Sequence, residues 1–594
     1  MMFSPVIPVD AQEGHNNINT GPYVDTVVLK VIKDQNQQVL ALLSGEVDII
    51  GEWIAPDYIP LLEENPDIST FSTLRNGYGH ITINCGKYPL NISGLRKAFA
   101  YAFDKTRVRI DVLDGLSQEQ DSVVPYVSDW CIEDDLPYHY YSAQPEIGNQ
   151  ILNDLGFDLH PVTGFRTAPD GSTFHVDIEY YALSDVAAST AQVGVDALRS
   201  LHISADTRPV GMEVLTRLDN HGDYDMVLYA SNFHTMDVDW LSRAFNSQNV
   251  DVYGQNPSNF ENTSYDLYCS QLQCSTTYSE AYEAAAAMQL ILHENVPMLV
   301  VYENIYTQCY RNDVFEGHVA DVGRYFAGPW TLRKIHKIDG TAGGSVAVAF
   351  EDVTSFNVFL SGGLIEWNLW PQLYTLDPNL SPWPYLVENM VMETHTDNPV
   401  VTEGHTRFTV DIIQNATWSD GTPLTGEDIA FTVAYYFESR MFGNIASATM
   451  GELVSAYAPT KYRAVVEFGS ESMWHFSNFA YTTIIPKHIF NDVDGIGFDG
   501  WNAWNPIFNP SDPYVTSGPF VLTDFEIGEF YELSANTDFS YYPEFRTLSS
   551  TEPTTTGTTF NTSLAIAAGA VGAGATILIG GFFLFNKKIG SIKT

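Results

Sequence analysis

Adjacent carboxylates occur at Glu133-Asp134 and Glu351-Asp352, and paired acids are what a hydrolase would use for general acid and base work. With 73 acidic residues in the chain, such neighbours are expected by composition, and both pairs read as solvated surface. No GxSxG elbow, GxGxxG turn or Walker loop occurs, so neither an activated serine nor a nucleotide cradle is indicated. CxxC and HExxH are absent, and none of the 15 histidines stands at metal spacing with a cysteine, which argues against zinc. Five cysteines are too few for a disulfide framework in so long a chain. Cys269 and Cys274 are near enough for a local bridge, with the pairing left open. These absences predict a protein that is not an enzyme and carries no cofactor and no metal.

The residues with a specific pattern are scaffold. In "ATWSDGTPLTGEDIAFT", 416–432, Asp420-Gly421 is a turn dipeptide after the alternating run Phe408, Val410, Ile412. Thr425 and Asp428 have the spacing of a capping box, opening a helix that Ile429, Val433 and Tyr436 continue. Elsewhere strands and helices alternate, an α/β or α+β pattern. Strands are predicted at 24–32 and 172–181. Helices are predicted at 37–45 with Gly45 closing, 94–103, 145–157 with Pro145 early and Gly156 past the end, 186–201 and 279–294. A second section starts after the Gly-rich 339–344 and runs to about Phe545.

At 594 residues the chain exceeds what one core supports. Its composition, 45% hydrophobic and 13% aromatic, is that of a folded protein. A net charge of −45 with 28 scattered basic residues argues against nucleic acid and an anionic membrane surface as partners. Leu564 to Phe585 is a run of 22 residues without a charge, long enough to cross a bilayer. Lys587, Lys588 and Lys593 follow, so a transmembrane helix is expected over 564–586 with a cytosolic tail, 587–594, and the bulk outside the cell. The Ser/Thr/Pro-rich 547–563 reads as a stalk. The first residues lack a charged n-region and an apolar h-region, so either the start is truncated, the favoured expectation, or export uses a route of another kind. Sequons at Asn91, Asn262, Asn379, Asn415 and Asn561 are glycosylation candidates on a surface protein.

Several blocks together resemble the extracellular solute-binding proteins of family 5, the oligopeptide- and dipeptide-binding components of ABC transporters. They are "TWSDGTPLTGEDIAFT", "IIPKHIF" (484–490), "SGPFVLTDFEIGEFYELSAN" (517–536), "LLSGEVDII" (42–50), "ITINCGKYPLNISGLRKAFAYAFDKTRV" (81–108) and "YDMVLYASNFHTMDVDWLSRAF" (224–245). Their order is reversed: 20–340 resembles the family's later part and 345–546 its earlier part. The implied fold is an α/β, two-lobed periplasmic-binding-protein-like clamshell with its sections circularly permuted. It would follow an N-terminal tail, 1–19, and be joined at the linker 341–344. A truncated tandem is the rival. One completed clamshell requires Tyr541–Phe545 to lie beside Gly21–Val24.

The resemblance implies capture of a peptide or similar small solute for delivery to ABC permease subunits. A non-transport receptor or adhesin on the same fold is the alternative. In the family an Asp in an Asp-Pro block holds the ligand's α-ammonium. The matching residue is Asp237, followed by Val238 where the family has Pro, with Asp239 as the neighbour that could substitute. A solvated loop carboxylate is the competing role. Trp240, Phe233, Tyr78 and Trp418 are candidate pocket walls or core residues. Asn84 either bonds a ligand backbone or satisfies a strand end. Arg96 matches a helix arginine of structural type.

Overall fold

The computed structural model describes residues 18–211, 218, 222–233, 235–250, 252–322, 326–350, 352, 355–360, 364–444, 446, 450–504 and 514–543. The expected stalk, transmembrane helix and cytosolic tail, with Asn561 and most of the N-terminal tail, lie outside the described residues. Among the described residues no helix is long and apolar enough to cross a membrane.

One strand of 14 residues, Met298–Arg311, runs through the centre. Its first part pairs with Gly77–Ile83 and its last with Ile68–Leu74, so it belongs to two lobes at once. In the first lobe Gly77–Ile83 continues antiparallel to Met226–Asn232, which lies parallel to Val176–Tyr181, itself parallel to Ala205–Val210. The helices Ser93–Ala102, Pro145–Asp154 and Asp185–Ser200 flank this sheet. Phe99, Leu152 and Leu198 from them join Ile81 and Ile178 in one core. Each such buried side chain contributes about 1.5–3 kcal/mol.

The second lobe is built from both ends of the sequence. Thr26–Val31 sits between Ser345–Phe350, parallel to it, and Phe530–Ala535, antiparallel to it. Thr26 is opposite Ser345 on one side and Ser534 on the other. A separate antiparallel sheet packs on the same core, in the order Val387–Thr394, Thr406–Ile412, Arg463–Phe468, Leu453–Thr460. Val27 and Leu29 share that core with Val346, Phe408, Trp418 and Leu533. The Gly21 N–H donates to the Tyr541 carbonyl at 3.1 Å. The turn before Ser345 needs glycine: Gly343 and Gly344 have φ of +101° and +95°, and the Gly344 N–H donates to Asp25 Oδ2 at 2.9 Å.

The scaffold motif forms as its residues dictate. Thr425 caps the helix Gly426–Ser439 in a capping box with Asp428, and Asp428 also accepts from the Lys487 N–H at 3.0 Å. All five cysteines are free, so Cys269 and Cys274 form no bridge. Glu133 departs from the expected solvated role. It is 2% exposed because it accepts bonds from the Asp121 and Ser122 N–H groups and the Tyr141 hydroxyl. Asp352 of the other pair bonds Lys33 at 2.9 Å.

Candidate functional site

The two sections meet where the loop after Met226–Asn232 faces the helix Trp474–Ala480. Asp237 lies at this junction, part-buried. Loss of water drives its pKa up to about 6; the Ser477 hydroxyl from the facing helix pulls the other way, and the nearby Asp239 charge adds to the rise. No cation is among its electrostatic partners in the described residues. Asp239 differs: its carboxylate pairs with Arg243 one helical turn on, at 2.9 Å. A carboxylate already tied to a guanidinium is a poor substitute for one that is not.

Three of the four aromatic candidates come together, two of them, Phe233 and Trp240, on the segment that carries Asp237. The Tyr78 and Phe233 ring centroids are 5.5 Å apart, and Phe233 and Trp240 are 4.9 Å apart. Tyr78 is nearly inaccessible, while Phe233 and Trp240 are half-buried. Trp418 does not join them. It is fully buried in the second lobe's core, and its backbone N–H closes the turn by bonding the Thr422 carbonyl at 2.8 Å. Asn84 spends its amide locally, donating to the Tyr224 carbonyl at 3.0 Å and accepting from the Gly86 N–H and from Asn259. These bonds match the strand-end role. Arg96 is structural, bonding the Asn295 and Leu90 carbonyls at 2.9 and 2.7 Å.

The sequence does not single out the second section's contribution. Burial and the Asp237 charge both raise the Tyr481 pKa, and the Tyr481 carbonyl accepts from Gln372 Nε2 at 2.8 Å. Gln372 in turn lines a small cavity with Trp330, Arg333, Trp370 and Tyr385, about 10 Å³ in volume, the room of one water. The sections are also clasped. Ser472 Oγ donates to the Gln273 carbonyl at 2.6 Å, the Met473 N–H to that of Ser275 at 2.9 Å, and Trp474 Nε1 to that of Leu272 at 2.7 Å. Trp474 packs 5.7 Å from Trp130. No sequence motif marks this tryptophan.

Among the described residues one group of side chains has metal-ligand chemistry, Asp121, Glu133 and His139. The cation there is Lys105, wholly buried against Asp121 at 2.5 Å, and the carboxylate oxygens are occupied by N–H and hydroxyl donors. Among the sequons, Asn91, Asn379 and Asn415 are exposed. Asn262 is half-buried and caps the helix Thr263–Gln273.

A family model described as "Bacterial extracellular solute-binding proteins, family 5 Middle" matches residues 17–251 and 389–563. The match falls in two pieces, which fits the reversed block order. Among curated proteins, the peptide transport periplasmic protein SapA of Salmonella typhimurium is 25% identical over 49% of this chain and 51% of its own. The dipeptide-binding protein of Escherichia coli is 21% identical over 51% and 54%. The chain thus spans about half the length of the curated relatives it matches. Among solved structures, the oligopeptide-binding protein AppA of Bacillus subtilis, in complex with a nonapeptide, aligns with a TM-score of 0.47. It is 17% identical over 52% of this chain and 60% of that one.

Proposed function

The chain belongs to family 5 of the bacterial extracellular solute-binding proteins, and on that premise we propose that it captures a peptide or similar small solute between its lobes. The observation that carries this reading is Asp237, a desolvated carboxylate with no cation facing it among the described residues, at the junction of two sections. A ligand α-ammonium would supply the missing charge. Phe233 and Trp240 would wall the solute beside it, with Tyr78 packed behind them. The names of the relatives, which include peptide and dipeptide carriers, support the same solute class. Calorimetry with short peptides tests it. Asp237→Asn should weaken binding by about 2–4 kcal/mol, and N-acetylation of the peptide should weaken it similarly on the parent protein. Equal affinity in both comparisons would remove Asp237 from the site.

Delivery to ABC permease subunits, an extracellular location, anchoring by 564–586 and glycosylation at exposed sequons complete the proposal. The charge-free run followed by lysines supports the anchor. Protease added to intact cells should release an ectodomain of nearly full mass; a bulk domain that stays protected would refute the topology.

A further inference from the structure

Arg333, on the helix Pro329–Lys334, is 3% exposed and has no carboxylate partner among the described residues. Its guanidinium lies 4.9 Å from the Trp330 ring, 5.4 Å from Tyr385 and 5.7 Å from Phe539. Its side-chain acceptor is Asn19 Oδ1, at a long 3.4 Å from Nη1. Among the described residues Arg333 Nε has no acceptor; the Tyr385 hydroxyl oxygen lies close enough to the guanidinium to accept from it, and its own O–H has no acceptor. Both residues line the small cavity.

Ring faces offset part of a buried positive charge, but they do not replace an acceptor for a guanidinium N–H. Burial without a counter-charge is costly, and one anionic oxygen in the cavity would answer the charge, Nε and the tyrosine hydroxyl together. We propose that this cavity is an anion site that takes one oxygen of a carboxylate, with Arg333 as the counter-charge and Tyr385 as the second donor. The carboxylate has two sources, a free small carboxylate or a carboxyl group on the captured solute. The second source rests on the solute-binding function proposed above; the first does not.

The test follows tryptophan emission and thermal unfolding of the full chain as formate replaces gluconate, a bulkier carboxylate, at fixed ionic strength. Trp330 and Trp370 line the cavity, so the parent should give a saturable emission change and a rise in Tm. Tyr385→Phe keeps the ring and removes the donor, and should raise the half-saturating concentration about tenfold. Arg333→Gln should abolish the response; if that variant does not fold, Tyr385→Phe alone decides. Non-saturable changes that are equal in the parent and in Tyr385→Phe would overturn the site. Free-acid and C-terminally amidated peptides then separate the sources. Weaker binding of the amide, with formate competing only against the free acid, assigns the solute's carboxylate, whereas indifference of both peptides to formate assigns a free anion. Failure of peptide binding altogether leaves the formate result standing by itself.

Discussion

A carboxylate that loses its water and meets no cation among the described residues holds its proton longer, and burial pushes the Asp237 pKa up to about 6 for that reason. The consequences for stability and for binding have opposite signs. The folded pKa lies above the ordinary 3.8, so as pH rises the unfolded chain releases this proton first. Without ligand, the Asp237 contribution therefore lowers stability as pH rises from about 4 to about 6, and is level above that. A cationic ligand needs the ionised form, so affinity should be full above pH 6 and about tenfold weaker by pH 5. Asp237→Asn should flatten both slopes. Denaturant melts without ligand and calorimetry at pH 7 and 5 read them separately. A parent affinity indifferent to pH over this range would show that the Asp237 charge does not hold the solute. Sequence spacing does not separate Asp237 from Asp239; the separation comes from Arg243, one turn along a short helix.

The helix Trp474–Ala480 ties the lobes together through backbone carbonyls at the end of Thr263–Gln273. Trp474→Ala removes one of those bonds and the ring against Trp130, a truncation that costs about 3–5 kcal/mol when the site cannot collapse. If the tryptophan acts as a clasp, small-angle scattering should show a larger radius of gyration without loss of secondary structure. A lower Tm at unchanged radius would make it an ordinary core residue. The clasp was not legible in the sequence, because it joins residues about 200 positions apart through carbonyls that every residue carries. The local devices were legible. Asp428 three residues after Thr425 gives the capping box, and Gly45 closes its helix with φ +77°. Pro145 opens its helix, and Gly156 lies beyond the end at φ +80°. Each depends on a few neighbouring side chains. Glu133 was misread for the complementary reason: its partners Asp121, Ser122 and Tyr141 are brought to it by loops, and adjacency to Asp134 reveals none of them. Phe233 and Trp240 stand in one of the family-like blocks (224–245), whereas Tyr78, Arg333 and Tyr385 belong to no motif.

The second lobe is completed only when early and late strands interleave, with Thr26–Val31 between strands that begin at Ser345 and Phe530. A truncated tandem would leave these edges unpaired, and exposed apolar edges invite aggregation. The present termini of the fold are already neighbours, since Gly21 bonds Tyr541 at 3.1 Å. Chain order can therefore be changed with little effect on the contacts. A rearranged protein running from Ser345 to Pro543, through a short Gly/Ser bridge, then from Gly21 to Gly340, should fold to the same lobes. It keeps the strand register on both sides of Thr26–Val31. It loses the turn bond from Gly343 to Tyr23, the two exchanged between Gly344 and Asp25 and that from Thr26 to Gly344, worth about 1 kcal/mol each. Closing the new bridge adds little, because loop cost grows slowly with length. Thermal unfolding should remain one cooperative transition a few degrees below that of the parent, with the same pH dependence of peptide affinity. An aggregated product, or two separate weak transitions, would mean that the link through residues 341–344 is itself required to hold the interleaved strands in register.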